Sequence, residues 1–409
     1  MQFKNKDTFA VFKLRDFNFF LAAKFLVTAS LYMQAVAIGW QVYYLTKDPL
    51  ALGYSGLAEA LPAIGVALFG GHLADRVDRR SILLFTTITL VVGAAMLLLS
   101  SLPGINIPVS ALYGVIALTG CARGFYGPAN FALMAQIIPR NLYVHSSAWN
   151  STFWHIATVI GATVGGLVTG FIGLTATYAM VIAQLLAAFI LFFSIKKRPM
   201  PKADKAEGMI KSLGVGIGFV LQNKIVLGAL LVDMLAVLFG GAVALLPIFA
   251  DVVLNTGPQG LGVLRAAPGI GAFLMALWLA YKPPVKYAGQ RLLLNVAAYS
   301  ACMIVFALSV NFYLSIVILA LSGAFDNVSV VIRSTLLQLN TPDEMRGRVS
   351  AVNAIFINSS NEIGAFESGV AAKFLGLIPS VVFGGFVSIL SVIGVGACFK
   401  ALRDADLES

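Results

Sequence analysis

Charge is scarce in this chain of 409 residues, of which only 11% are Asp, Glu, Lys or Arg. Apolar residues make up 59% of the sequence, and the mean hydropathy is +0.89. A soluble protein of this length could not cover so large an apolar fraction with polar surface. The composition therefore excludes a soluble globular domain and predicts a polytopic membrane protein.

Cysteine and histidine are also rare, with three residues of each. Cys121, Cys302 and Cys398 fall inside apolar segments, so neither a disulfide framework nor a metal cluster is expected. No P-loop is present, so ATP is not expected to be the energy source. The polar, basic N-terminus leads straight into an apolar segment, so no cleavable signal is predicted. We expect no enzyme activity and no cofactor.

Long apolar runs occupy most of the sequence, and twelve of them could cross about 30 Å of hydrocarbon as helices. They lie at 18–45, 51–73, 81–102, 108–132, 150–171, 176–195, 225–250, 260–281, 291–309, 312–338, 348–372 and 379–399. The longest polar stretch separates the sixth run from the seventh. The pattern predicts an all-α membrane protein with six-helix bundles at 1–195 and 225–409, joined by a linker at 196–224. The apolar part of that linker is too short to span and is expected to lie at the interface.

The distribution of basic residues predicts the orientation. Of the 28 Lys and Arg residues, four lie within spans and two near the outer face, which leaves 22 on one side. Basic residues concentrate on the cytoplasmic side of membrane proteins. We therefore expect both termini to be cytoplasmic, with Lys47 and Lys373 outside. The net charge of +10 then faces lipid headgroups and not nucleic acid.

The two halves resemble each other when the sequence is shifted by 203 residues (323 minus 120). The shift aligns Gly120 with Gly323, Pro139 with Pro342, Ala148 with Ala351, Asn150 with Asn353, Gly161 with Gly364, and Gly166 with Gly369. A repeat of six helices is typical of secondary transporters built from two similar halves. The same shift aligns Arg123 with Asp326, which predicts opposite charges on the fourth and tenth helices near mid-membrane.

A charged loop at 71–80, GHLADRVDRR, separates the second and third apolar runs. Its candidate gate residues are Gly71, Asp75, Arg76, Arg79 and Arg80. This spacing resembles the signature loop of the major facilitator superfamily, which implies twelve helices and alternating access. In that family the loop stabilises the outward-open state by locking the cytoplasmic side. The alternative is that the arginines only enforce topology.

Other stretches resemble one bacterial branch of that superfamily, which contains the enterobactin exporter and related multidrug and secretion permeases. They cover residues 33–53, 330–353 and 359–369. The GATVGG sequence at 161–166 resembles an exporter signature in which Ala162 replaces a proline. Its glycines are equally suited to close helix packing.

Ionisable residues inside a span are costly, so each one is a candidate for function. Glu59, Arg123, Asp326 and Glu362 fall near the middle of their predicted spans and are the candidates for proton coupling. A carboxylate buried there could take up and release a proton, with Arg123 tuning it. The alternative is a static salt bridge inside the protein.

Further polar residues in the spans are candidates for substrate binding. They are Gln34, Gln41, Asp233, Asn358 and Glu367. Gln34 and Gln41 are seven residues apart on one helix face, which suits an amphiphilic solute. Hydrogen bonding between helices is the alternative, and for Asp233 the alternative is polar packing.

The residues and the resemblance together predict a transporter of the bacterial inner membrane that exports a small organic molecule in exchange for protons. A siderophore-like compound or a drug would be the substrate, with protons and the lipid bilayer as further partners and a monomer as the expected state. Import, or export of a metal ion or a lipid, is the alternative within this fold. A membrane receptor or accessory protein without transport activity is the alternative from another class.

Overall fold

The computed structural model describes residues 9–105, 107–139, 142–198, 209–281, 287–342 and 345–406. For some helical residues within these ranges, including 67–76 and 358, only the backbone is described. The described residues contain no β-strand. Thirteen long helices follow one another: α1 (Arg15–Thr46), α2 (Pro49–Arg76), α3 (Arg79–Ser100), α4 (Val109–Ile137), α5 (Tyr143–Phe171), α6 (Leu174–Ser194), α7 (Met209–Gln222), α8 (Lys224–Gly240), α9 (Gly257–Tyr281), α10 (Ala288–Leu308), α11 (Phe312–Leu339), α12 (Arg346–Leu375) and α13 (Leu377–Cys398).

The predicted all-α membrane fold is confirmed. Among the described residues, nine helices are long and apolar enough to cross a bilayer: α1, α3, α5, α6, α8 with its continuation to Val253, α9, α10, α11 and α13. Helices α2, α4 and α12 have 28, 29 and 30 residues, so each is longer than about 40 Å at 1.5 Å per residue. Their length suits a span, and the total of twelve stays a prediction.

Helix α7 has only 14 residues, which is too short to cross the hydrocarbon. It exposes Val215, Ile217 and Leu221 while burying Val220. The helix packs on α12, and a Cβ built at Gly216 would lie 3.0 Å from the carbonyl oxygen of Arg348.

Helix α8 is interrupted in its second half. It ends at Gly240, and the chain continues through a 3₁₀ turn (Ala242–Leu245), a short helical turn (Leu246–Ile248) and a π-helix (Phe249–Val253). Backbone groups released by such a break need partners inside a membrane protein. The Ser368 hydroxyl on α12 donates to the Gly241 carbonyl at 3.1 Å. The break is therefore held in place by a neighbouring helix.

The chain forms two compact units. The first unit comprises the described parts of Met1–Ala37 and Leu61–Asp204, and the second those of Ile38–Ala60 and Lys205–Ser409. Each unit has its own apolar core, around Phe17, Leu83 and Phe192 in the first and around Leu292 and Ile332 in the second. The end of α1 and the start of α2 thus belong with the C-terminal helices. The domain boundaries expected from the sequence stay predictions.

Glycines allow the helix backbones to approach closely at equivalent places in the two units. A Cβ built at Gly161 on α5 would lie 2.3 Å from the carbonyl oxygen of Ala29 on α1. A Cβ at Gly364 on α12 would lie 2.9 Å from the carbonyl oxygen of Val237 on α8. These are two glycines that the shift of 203 residues aligns with each other, so the sequence repeat corresponds to a repeated packing contact.

We expect Gly161→Ala to destabilise the first unit by about 1–3 kcal/mol, because the added methyl group overlaps the α1 backbone. Gly114→Ala on α4 is the matched control, since a Cβ at Gly114 meets nothing within 4 Å. Thermal unfolding of the purified protein in detergent should give a lower melting temperature for Gly161→Ala and an unchanged or slightly higher one for Gly114→Ala. Equal melting temperatures would contradict the close approach.

Candidate functional site

The four candidates for proton coupling lie on four helices: Glu59 on α2, Arg123 on α4, Asp326 on α11 and Glu362 on α12. The three carboxylate residues are half-buried, and Arg123 is exposed. An arginine near the middle of a span must face protein or a water-filled cavity, since contact with lipid is too costly. The sequence predicts that Arg123 and Asp326 face each other. These residues belong to different units, and their facing stays a prediction.

Glu362 is placed against α2 by two small residues of that helix. A Cβ built at Gly56 would lie 3.1 Å from the Ala365 Cβ and 3.5 Å from Glu362 Oε2. A Cβ built at Gly53 would lie 3.2 Å from the Phe366 carbonyl oxygen. Glu59 comes three residues after Gly56, on the neighbouring part of the same helix face. Within the second unit, Glu362 therefore lies beside α2 and within one helical turn of Glu59.

Two ion pairs flank the turn between α1 and α2, within the second unit. Lys47 Nζ lies 3.2 Å from Asp251 Oδ2, and Lys373 Nζ lies 2.7 Å from Asp48 Oδ2. The hydrogen bond from Lys373 is the main cause that lowers the pKa of Asp48, so this carboxylate stays ionised near neutral pH. Both pairs are substantially exposed, and each is expected to contribute little stability by itself. They involve the two lysines that the charge distribution places outside.

A buried ion pair connects α8 and α11. Asp233 binds Arg333 directly, and their side chains are only 8% and 4% exposed. Asp233 thus has a structural partner, and its predicted role in substrate binding is untested. Each buried charge depends on the other, because an unpaired ion in the interior is strongly destabilising.

The remaining candidates for substrate binding lie in different surroundings. Gln34 and Gln41 are buried, and Gln34 Nε2 donates to Thr119 Oγ1 on α4 at 3.5 Å. Glu367 lines a cavity of about 10 Å³ beside the break in α8, together with Ser380. A space of this size holds about one water molecule. The side chain of Asn358 lies outside the described residues.

One polar contact in the first unit was not predicted from the sequence. Lys24 Nζ on α1 donates to Asn150 Oδ1 on α5 at 2.6 Å. The available signal was the alignment of Asn150 with Asn353 in the repeat, which marks a polar position within both halves. Lysine in a span is stabilised by such a partner.

Part of the charged loop is described. The α2 backbone is helical from Gly71 through Arg76, while the side chains of Asp75 and Arg76 lie outside the described residues. Arg79 Nη1 donates to the Ala132 carbonyl of α4 at 3.5 Å. Arg80 donates to the carbonyl oxygens of Phe192 and Phe193 in the last turn of α6. Cations at helix C-terminal carbonyls are favourable, so Arg80 stabilises the contact between the start of α3 and the end of α6. Arg79 connects the start of α3 to α4.

Known sequences match this chain over most of its length. A family model described as transmembrane secretion effector matches residues 6–408. The enterobactin exporter of Escherichia coli O1:K1 is 27% identical over 378 residues, which cover 91% of this chain and 88% of that protein.

Solved structures show the same fold. The nucleoside transporter NupG has a TM-score of 0.73 at 12% identity, covering 94% of this chain and 99% of that one. A bacterial homolog of the human lysosomal transporter Spinster, inward-facing and unoccupied, has a TM-score of 0.71 at 13% identity, covering 95% and 96%. At these identities the likeness shows the fold alone, which is that of major facilitator transporters.

We expect Asp233→Asn to destabilise the protein by about 3–5 kcal/mol, because Arg333 would lose the partner of its buried charge. Asp404→Asn is the matched control, since it breaks an exposed pair with Arg403 that should contribute at most about 1 kcal/mol. Replacing both members of the buried pair, with Asp233→Leu and Arg333→Met, should recover much of the loss. The measurement is thermal unfolding in detergent, and equal effects of Asp233→Asn and Asp404→Asn would contradict the buried pair.

Proposed function

Because the chain belongs to the transmembrane secretion effector family of the major facilitator superfamily, we propose that this transporter exports a small organic molecule in exchange for protons. A siderophore-like compound or a drug is the proposed substrate class. Export, as the direction of transport, is supported by the similarity to the enterobactin exporter over 91% of the chain. The protein is a multi-pass membrane protein, and we place both of its termini in the bacterial cytoplasm.

Proton coupling is supported by the position of Glu362. Its carboxylate lies against Gly56 of α2, within a turn of Glu59, and both residues lie well inside their helices. An ionised carboxylate is costly at such depth, so neutralisation by a proton changes how it interacts with its neighbours. In the proposed cycle, protonation of Glu362 or Glu59 competes with substrate binding, and Arg123 favours the ionised state. Asp326 is the further proton-coupling candidate on α11.

Alternating access is supported by the two ends of α2. Its first turns are held to α12 through Gly53 and Gly56, and the preceding turn is held by the Asp48–Lys373 pair. Its last turns carry the charged loop with Asp75 and Arg76. We propose that contacts at the first end hold the outer side closed. The loop would then lock the inner side after those contacts release.

The substrate would contact polar groups among the helices, for which we propose Gln34, Gln41, Asp233, Asn358 and Glu367. A monomer in the lipid bilayer is the proposed working state. Import, or export of a metal ion or a lipid, remains the second candidate function for this fold. A receptor or accessory role without transport is disfavoured by the ionisable residues retained within the spans.

Inverted membrane vesicles test this function, because export from the cell becomes uptake into the vesicle. Enterobactin and a panel of amphiphilic dyes serve as probes, with and without an imposed proton gradient. Wild-type vesicles should accumulate at least one probe only when the interior is acidic. Because glutamine cannot take up and release a proton, Glu362→Gln should reduce this gradient-dependent uptake by about tenfold or more, which corresponds to about 1.4 kcal/mol.

Asp404→Asn is the control for this experiment, because it removes one negative charge outside the spans. It should leave uptake at the wild-type level. Equal wild-type uptake with and without the proton gradient would contradict proton-coupled export. Unchanged coupling in Glu362→Gln would remove that residue from the mechanism and leave Glu59 and Asp326 as candidates.

A further inference from the structure

A polar cavity lies between the end of α11 and the start of α12, within the second unit. Its volume is about 340 Å³, which is at the lower end of the range for small-ligand sites. Six of its lining residues are polar or charged: Ser334, Gln338, Thr341, Arg346, Ser350 and Asn353. None of the proposed substrate or proton residues is among the described residues that line it. The cavity is therefore a separate candidate site.

Two oxygen atoms in the lining have no hydrogen-bond partner within the described part of the chain. They are Thr341 Oγ1 and Asn353 Oδ1, and both are buried at the atomic level. Thr341 as a whole is only 4% exposed. Buried polar atoms in folded proteins are almost always satisfied by protein, water or ligand. The two atoms indicate that the cavity accommodates a polar group with a donor for Asn353 Oδ1 and an acceptor for the Thr341 hydroxyl.

The charge of the residues that line the cavity indicates which kind of polar group it can bind. Among the described residues that line the cavity, Arg346 is the only charged one, and its Nη2 donates to the Gln338 carbonyl at 3.5 Å. Hydroxyl groups at Ser334, Thr341 and Ser350 can all donate hydrogen bonds. A guanidinium surrounded by hydroxyl and amide donors suits an oxyanion with several acceptor atoms, such as a phosphate.

The surroundings place the cavity near the membrane surface. The amphipathic helix α7 meets α12 at Arg348, two residues from Arg346, and exposes Val215, Ile217 and Leu221. A short helix with such an apolar face suits the boundary between headgroups and acyl chains. In the proposed orientation this is the cytoplasmic side, where basic pockets between helices bind anionic headgroups.

We propose that the cavity between α11 and α12 binds a phosphate group, supplied by the headgroup of an anionic lipid of the inner leaflet. Arg346 provides the charge, and the Thr341 hydroxyl can donate a hydrogen bond to a phosphate oxygen. Asn353 Oδ1 can accept a hydrogen bond from a hydroxyl group of the headgroup. The lipid as source rests on the proposed orientation, whereas the phosphate chemistry rests on the lining alone. Occupancy would tie α11 to α12 beside the linker helix α7.

Binding to the full-length protein in detergent tests this proposal. The probes are short-chain phosphatidylglycerol, short-chain phosphatidylcholine and inorganic phosphate, and the readouts are native mass spectrometry and the shift in melting temperature. Wild type should bind phosphatidylglycerol in preference to phosphatidylcholine. Arg346→Gln and the nearly isosteric Thr341→Val should each weaken binding by about tenfold or more, which corresponds to about 1.4 kcal/mol.

Arg291→Gln is the matched control, because Arg291 is an exposed arginine of the same unit that does not line the cavity. It should bind phosphatidylglycerol as wild type does. Comparable binding of inorganic phosphate, equally sensitive to Arg346→Gln, would support the phosphate site and identify free phosphate as its source. The proposal would be overturned if neither phosphatidylglycerol nor inorganic phosphate bound. Equal binding of phosphatidylglycerol to the Arg346→Gln and Arg291→Gln variants would also overturn it. Neither result depends on whether the protein exports its substrate.

Discussion

The cost of placing a charge in hydrocarbon governs where this chain can carry its few ionisable residues. Asp233 and Arg333 lie deep in the second unit and bind each other, and Lys24 donates to Asn150 in the first. The pairs Lys47–Asp251 and Asp48–Lys373 lie at helix ends, where water remains available. The charges of these described pairs are therefore compensated, and Glu362 lies at a contact between α12 and α2.

The bilayer also limits how the helices can be held together, and this explains the role of the small residues. Helices in a bilayer gain little from the hydrophobic effect, so close packing and interhelical hydrogen bonds must hold them together. Gly161 and Gly364 provide this close approach at equivalent places in the two units. Where α8 is interrupted, the hydroxyl of Ser368 compensates a released carbonyl, and the break persists beside Glu367.

The sequence was sufficient for the helical membrane fold, because hydropathy is a local property and each span contains its own signal. It also predicted the repeat. In the structure, Gly161 and Gly364 each make an equivalent close contact with a neighbouring helix of their own unit. Long-range partners were harder to predict. Asp233 and Arg333 are a hundred residues apart, and only the tertiary structure shows that they meet. The placement of 38–60 with the C-terminal helices likewise depends on how Gly53 and Gly56 fit α12, which no local pattern reveals.

We propose that protons drive export through half-buried carboxylates among the helices. This proposal is tested most directly by measuring proton release from the purified protein in weakly buffered detergent solution when a substrate is added. Enterobactin and the dye panel should include at least one compound that displaces protons from wild type, with less release from the Glu362→Gln variant. Binding of a transported compound without any release of protons would contradict competition between substrate and proton.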